Sequence, residues 1–389
     1  MKDFIYYAPT KVYFGRDKEK EVGKIISELK IKKIMMQYGQ NSIKKTGLYD
    51  VVINSLVSHG IEVVEMGGVE PNPKLSFVRE AINIAKREKV EMILAVGGGS
   101  VIDSSKMTAL GATCENDVWE FCMGKSVPKT SLPVGCILTI AAAGSEMSES
   151  AVLTNEQLNV KKGCTSPFNR CKFAIVNPEL TFTLSKYQTA CGIVDIMAHT
   201  LERYFTVCEP TDLTDRISEA LLKSVIVSAK TLMDNPTDYD ARANLLWASS
   251  LSHNNLTGCG RENYLCVHQL EHALSGEFDY VPHGAGLAVL FPAWSKWIYK
   301  HAPQRFSQLA RRVFDSTETD DLKASIEGIQ KMSEFFSSIG MPSTLREFNV
   351  PKEAIDKLVQ LCTFNYTRTI KSFVPLGKEE LKEIFELCY

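Results

Sequence analysis

An α/β domain built on a parallel, Rossmann-like sheet, followed by an all-helical domain, is the fold class that this 389-residue sequence predicts. Three observations carry the prediction. Strand-like apolar runs alternate with amphipathic helical stretches through the first half, as in parallel strands joined by crossover helices. A triple glycine, Gly97 to Gly99, closes one apolar run and opens a helical stretch. Near residue 183 the texture changes to long stretches with helical spacing and few strand signals. The chain exceeds what one simple core serves, so two domains are expected, residues 1–183 and 184–389.

The elements follow in order. "KKIMMQ" reads as a strand, "YGQNS" as the loop after it, "LYDVVINSLVSHG" as an amphipathic helix and "IEVVEM" as the next strand. "GGVEPNP" is a turn-rich break; "LSFVREAINIAKREKV" is helical, and "EMILAV" is a buried strand ending at the glycines. "VIDSSKMTALGA" is the helix beyond them, and "LPVGCILTI" and "KFAIVNPEL" complete the strand set. Helical periodicity then dominates in "RISEALLKSVIVSAKTLMDN", "ARANLLWASSLSHNNL" and "LKASIEGIQKMSEFFSSIG".

Bulk properties exclude several functional classes. A formal charge of −2 gives no electrostatic reason to expect nucleic acid or an anionic membrane as partner. No apolar run is long enough to span a bilayer, and the first residues, "MKDFIYYAPTKVYFG", lack the pattern of a secretory signal. The eleven cysteines have no framework spacing and are odd in number, so reduced thiols in a cytoplasmic protein are expected.

Two segments suggest phosphate chemistry. Glycines between strand and helix let a backbone approach a ligand closely, and the free N–H groups of the helix suit a pyrophosphate. A structural turn is the alternative, with Ser100 capping the helix and Asp103 completing a capping box. In the loop after the first strand, Gly39, Gln40, Asn41 and Ser42 precede Lys44 and Lys45, with no acid before Asp50. A ribose-binding carboxylate is therefore missing from this loop, and a dinucleotide bound here is expected to be NADP rather than NAD.

Metal chemistry is suggested by "CGIVDIMAHT" and "HQLEHALSGEFDYVPHG". Asp195 and His199 are four apart, and so are His268 and His272, so each pair shares a helix face. Asp195, His199, His268 and His283 form a donor set suited to Fe2+ or Zn2+. The second stretch also fits H-x-x-E-H, which would make His268 and His272 metalloprotease ligands and Glu271 the base.

Taken in order, "FIYYAPTKVYFG", "YGQNSIKKTGLYD", "VGGGSVIDSSK", "AGSEMSESAVLTNE", "TLSKYQTACGIVDIMAHTLE" and "HQLEHALSGEFDYVPHGAGLAVLFPAW" resemble the iron-containing (group III) alcohol dehydrogenases over nearly the whole chain. Within that family the resemblance is to the NADP-dependent butanol dehydrogenase and aldehyde reductase branch, on the dehydroquinate synthase-like fold. It implies a metal on Asp195, His199, His268 and His283, with His272 beside the nicotinamide and substrate rather than on the metal. It also implies cofactor contacts at Gly39, Asn41, Ser42, Gly97, Gly98, Gly99, Ser100, Asp103, Thr139 and Lys161, a small alcohol or aldehyde substrate, and a homodimer. Gln40 and Asn41 stand where the branch usually has glycines, Ala141 and Ala143 where the family usually has hydroxyl residues, and Asn177 where it usually has Asp.

The activity implied is reversible hydride transfer between NADP(H) and a primary alcohol or aldehyde, with His272 as proton relay. Glycerol dehydrogenase and dehydroquinate synthase share the architecture; the H-x-x-E-H hydrolase and a non-catalytic nucleotide-binding relative are more distant rivals.

Overall fold

The computed structural model describes residues 1–207 and 210–389. It divides into two compact units, Tyr7–Leu184 and, together, Met1–Tyr6 with Ser185–Tyr389. The expected boundary after residue 183 did not anticipate that the first six residues group with the helical unit. Lys2 explains their placement: its backbone N–H donates to the Gly260 carbonyl at 2.9 Å and its ammonium pairs with Glu262.

The α/β unit runs β1 (Lys11–Phe14), α1 (Val22–Glu28), β2 (Lys33–Tyr38), α2 (Ser42–Lys45), α3 (Leu48–Ser58), β3 (Glu62–Gly67), α4 (Leu75–Glu88), β4 (Met92–Gly97), α5 (Gly99–Thr113), α6 (Val118–Cys122), β5 (Val134–Leu138), β6 (Ser150–Asn155), β7 (Val160–Thr165) and β8 (Phe173–Val176). Six of these strands form one sheet in the order β1-β8-β5-β4-β2-β3, every pair parallel. Burial explains the sequence pattern. Central β4 and β5 are buried at every position and read as unbroken apolar runs, whereas edge strand β3 is buried only at Met66 and exposes Glu62 and Glu65.

The strand order fixes where a ligand can enter. From β2 the chain steps outward to β3 and returns to β4 on the other side of β2, so the winding reverses between the carboxyl ends of β2 and β4. Open α/β sheets bind ligands at such a switch point. The loop Gly39–Asn41 leaves β2 there, and Gly97–Gly99 leaves β4 there.

Two features differ from the sequence expectation. The hairpin of β6 and β7 was not read as strand, because its turn lacks an Asn-Gly or Asp-Gly signal and β7 carries Lys161 and Lys162. The alternative capping box does not form: α5 begins at Gly99 with Gly98 as N-cap, and the Asp103 carboxylate turns away to other partners.

The second unit contains α7 (Lys186–Tyr204), α8 (Asp212–Asp234), α9 (Tyr239–His253), α10 (Cys266–Glu277), α11 (His283–Ile298), α12 (Pro303–Val313), α13 (Asp321–Ser338), α14 (Ile355–Cys362) and α15 (Lys378–Glu386). Besides short 3-10 turns, its other regular pairing among the described residues is a single bridge, Ile370 with Leu376. A capping box starts α7: Ser185 Oγ accepts from the Gln188 N–H at 3.1 Å, and the Gln188 side chain answers at the Ser185 N–H. Every residue from Ile193 to Tyr204 is buried, so polar groups in that span must find partners inside the protein. No helix among the described residues is long and apolar enough to cross a membrane. Replacing Ser185 with alanine removes the cap and is expected to destabilise the protein by about 1 kcal/mol in urea unfolding, with the chromophore-free secondary-structure signal at zero denaturant unchanged.

Candidate metal centre and cofactor segment

Asp195 and His199 project from one face of α7, His268 from the first turn of α10, and His283 is the first residue of α11. The three helices bring the four side chains together around one carboxylate oxygen. Asp195 Oδ1 lies 3.4 Å from His199 Nε2, 3.5 Å from His268 Nε2 and 3.8 Å from His283 Nε2. A tetrahedral ion with bonds of about 2.1 Å holds neighbouring donors roughly 3.4 Å apart, close to the distances from Asp195 Oδ1 to His199 and His268 and shorter than that to His283. Asp195 Oδ1 and His268 Nε2 are buried with no hydrogen-bond partner. A buried carboxylate oxygen facing imidazole lone pairs is unfavourable until a cation stands among them. The donor set therefore fits a divalent ion.

The orienting groups were missed by sequence reasoning. Glu202, fully buried on α7, accepts from His268 Nδ1, and Glu271, fully buried on α10, accepts from His283 Nδ1. Each carboxylate takes the Nδ1 side of its ring, so that Nε2 is the nitrogen turned toward Asp195. A signal was present: "HTLE" and "HQLE" repeat one H-x-L-E pattern, with Glu202 three residues after His199 and Glu271 three after His268. Spacing suggests that each Glu serves its own helix, but in the fold each serves the histidine of the next. With Glu271 so engaged, the H-x-x-E-H arrangement of a metalloprotease is not formed.

His199 is held by ring packing, stacked on His268 at 4.1 Å and against His253 at 4.0 Å between centroids. His253, at the end of α9, was also not foreseen. Burial, then the neighbouring imidazoles of His253 and His268, hold the His199 pKa well below its usual value, so this ring is neutral. At His268 burial pulls the pKa down, but the Glu202 and Asp195 carboxylates outweigh it and raise it to about 9. His272 stands beside the cluster, its ring centroid 5.8 Å from that of His283.

A close helix crossing sets the His283 position. A methyl group at Gly284 would overlap the Cys191 carbonyl of α7, one turn before Asp195. Only glycine after His283 lets α11 come this near.

In the α/β unit the predicted cofactor residues form two groups at the switch point. Thr139 N–H donates to the Gly97 carbonyl at 3.1 Å, and a methyl at Gly98 would lie 2.5 Å from Ile140 Cγ2. Gly97, Gly98, Gly99, Ser100 and Thr139 thus adjoin one another. Asp103 Oδ1 accepts from Ser145 Oγ at 2.5 Å and Oδ2 from the Val152 N–H at 2.9 Å, and Lys161 acts on this carboxylate electrostatically. Burial nevertheless raises the Asp103 pKa. In the other group, Gly39 and Asn41 lie between β2 and α2, and Ser42 is the first residue of α2. Beside them Glu65 accepts from Tyr38 Oη at 3.0 Å and Tyr49 Oη at 2.7 Å, while the Lys44 ammonium sits over both rings. This acid escaped sequence reasoning because it arrives from β3. Asn177 caps a 3-10 turn through the Glu179 N–H and donates to Glu19, so the amide serves the fold locally.

The family model described as iron-containing alcohol dehydrogenase matches residues 9–178, and its C-terminal counterpart matches residues 189–389. The chain belongs to the iron-containing alcohol dehydrogenase family. It is 38% identical to NADH-dependent butanol dehydrogenase A of Clostridium acetobutylicum, over 100% of both chains. It is 33% identical to the NADPH-dependent aldehyde reductase YqhD of Escherichia coli, over 92% of both. The crystal structure of NADH-dependent butanol dehydrogenase A from Thermotoga maritima superposes with a TM-score of 0.97 at 39% identity, covering 100% of this chain and 99% of that one. Membership in the iron-containing alcohol dehydrogenase family brings with it NAD(P)-dependent alcohol and aldehyde oxidoreduction with a nicotinamide cofactor and a divalent metal.

Glu202→Gln and Glu271→Gln are each expected to weaken metal binding about 10–100-fold in chelator competition, with the four ligands intact. Gly284→Ala is expected to lower bound metal per chain, measured by elemental analysis, although no ligand is altered.

Proposed function

We propose that this iron-containing alcohol dehydrogenase interconverts primary alcohols and aldehydes of butanol and butyraldehyde size with broad specificity. The observation that carries the proposal is the buried Asp195 oxygen facing the Nε2 atoms of His199, His268 and His283. A bound Fe2+ or Zn2+ supplies Lewis acidity toward a substrate oxygen. The chain's own residues do the remaining work. Glu202 and Glu271 hold His268 and His283 with Nε2 turned toward Asp195. Gly97–Gly99 and the first N–H groups of α5 receive the cofactor pyrophosphate. His272, beside the ligands but outside the cluster around Asp195, relays a proton between the substrate oxygen and solvent, since imidazole titrates near neutral pH.

We assign NADP(H) as the preferred cofactor, because the Gly39–Ser42 loop offers N–H and hydroxyl groups followed by Lys44 and Lys45, with no carboxylate among them. A preference for NAD(H) is the second reading, favoured by Glu65 at the Tyr38 and Tyr49 hydroxyls. The homodimer is supported by the exposed Phe4, Ile5, Tyr6 and Tyr7 and by β1, which stands at one end of the sheet among the described residues. The free thiols of the ten described cysteines are in keeping with the cytoplasm.

Aldehyde reduction followed by loss of dihydronicotinamide absorbance, over C3–C6 aldehydes with each reduced cofactor, tests the assignment. Chelation is expected to abolish turnover, and added Fe2+ or Zn2+ to restore it; turnover that survives complete metal removal would overturn it. His272→Ala is expected to lower kcat about 10²–10⁴-fold while leaving bound metal unchanged, and equal loss of metal would make His272 a ligand. The ratio of kcat/KM for NADPH over NADH is expected to exceed one. A ratio below one that rises in Glu65→Gln would instead identify Glu65 as the group that selects NAD(H).

A further inference from the structure

Lys106 has no part in the chemistry above, yet its ammonium is surrounded by five oxygens. It lies on α5, one turn after Asp103, and its side chain is completely buried. The ammonium donates toward Ser145 O at 2.6 Å, Ser145 Oγ at 3.0 Å, Ser148 O at 3.1 Å, Ser148 Oγ at 3.3 Å and Ser150 O at 2.8 Å. A buried ammonium is costly unless its protons are matched, and here three protons meet five oxygens.

All five acceptors lie in or at the end of one connection, the irregular residues 139–149 between β5 and β6. The start of the same connection packs on the glycine turn through Thr139 and Ile140, and the Ala143 methyl lies 3.8 Å from where a methyl on Gly99 would be. Inside it Met147 N–H donates to Gly144 O and Ser148 N–H to Ser145 O, at 3.2 and 3.3 Å, and Arg170 Nη1 donates to Met147 O at 2.8 Å. Helix α5 grips it as well, through both Lys106 and Asp103. Ser145 Oγ joins them, accepting from Lys106 and donating to Asp103.

We propose that Lys106 is a positioning residue for the nicotinamide cofactor, holding residues 139–150 in place as the wall that faces the glycine turn. The assignment rests on the glycine turn being the cofactor site. A wall already ordered before binding spares the cofactor the entropy of ordering it. Without the ammonium, the connection must be ordered at the moment of binding, and affinity falls while the ion cluster on the other unit is untouched.

The test uses the full-length, metal-loaded protein carrying Lys106→Met, with Ser148→Ala as a milder companion. Amide hydrogen exchange over residues 139–152 without cofactor, the dissociation constant for NADPH and NADH by dihydronicotinamide fluorescence, and bound metal are measured on each. In Lys106→Met, exchange is expected to quicken in that segment and the dissociation constant to rise at least about tenfold. Bound metal is expected to stay constant, and kcat at saturating cofactor to change far less than the cofactor KM. In Ser148→Ala the changes are smaller and of the same sign. A dissociation constant within twofold of the parent despite faster exchange overturns the proposal; so does an unchanged Ser148→Ala if Lys106→Met fails to fold. Failure of the parent protein itself to bind either cofactor overturns the underlying site reading instead.

Discussion

One buried carboxylate oxygen organises the helical unit. Asp195 Oδ1 has been taken out of water and set against three imidazole nitrogens, an arrangement that positive charge alone makes favourable. The surroundings follow from that constraint. Two of the histidines have their outer nitrogens tied to carboxylates, His268 to Glu202 and His283 to Glu271, while His199 is held by ring stacking. The third helix must approach closely enough for His283 to reach, so a glycine stands at the α7–α11 crossing. The start of α7 is fixed by a capping box, which sets the register of every ligand along it.

The α/β unit meets a different demand. Its winding order reverses between β2 and β4, and the segments Gly39–Asn41 and Gly97–Gly99 leave those two strands at that point. Side chains on α5 then stiffen an otherwise irregular connection with paired charges rather than with backbone ladders.

Much of this was legible in the sequence where physics acts along the chain. Apolar runs alternating with helical stretches pointed to the parallel sheet, period-3.6 spacing to the helical half, and i,i+4 spacing brought forward Asp195 with His199 and His268 with His272. Interactions that act across elements were hidden. Glu202 and Glu271 each carry a readable offset from a histidine, but their partners sit on other helices. Glu65 comes from a neighbouring strand to the end of β2. Lys106 reads as one more helical lysine until the fold wraps a serine-rich connection around it. The Ser100–Asp103 capping box was a local possibility that lost to Gly98 and to the partners Asp103 finds beyond its helix.

The crossed placement of the two glutamates has a kinetic meaning. Because α7 braces the histidine of α10, and α10 braces that of α11, the three helices are tied in series. Neither His268 nor His283 can swing away alone without also breaking a charge-assisted bond to another helix. An ion held by these side chains would leave by way of a local opening of the helical unit rather than by the release of one histidine at a time. Its residence time is therefore a gauge of how often these helices part.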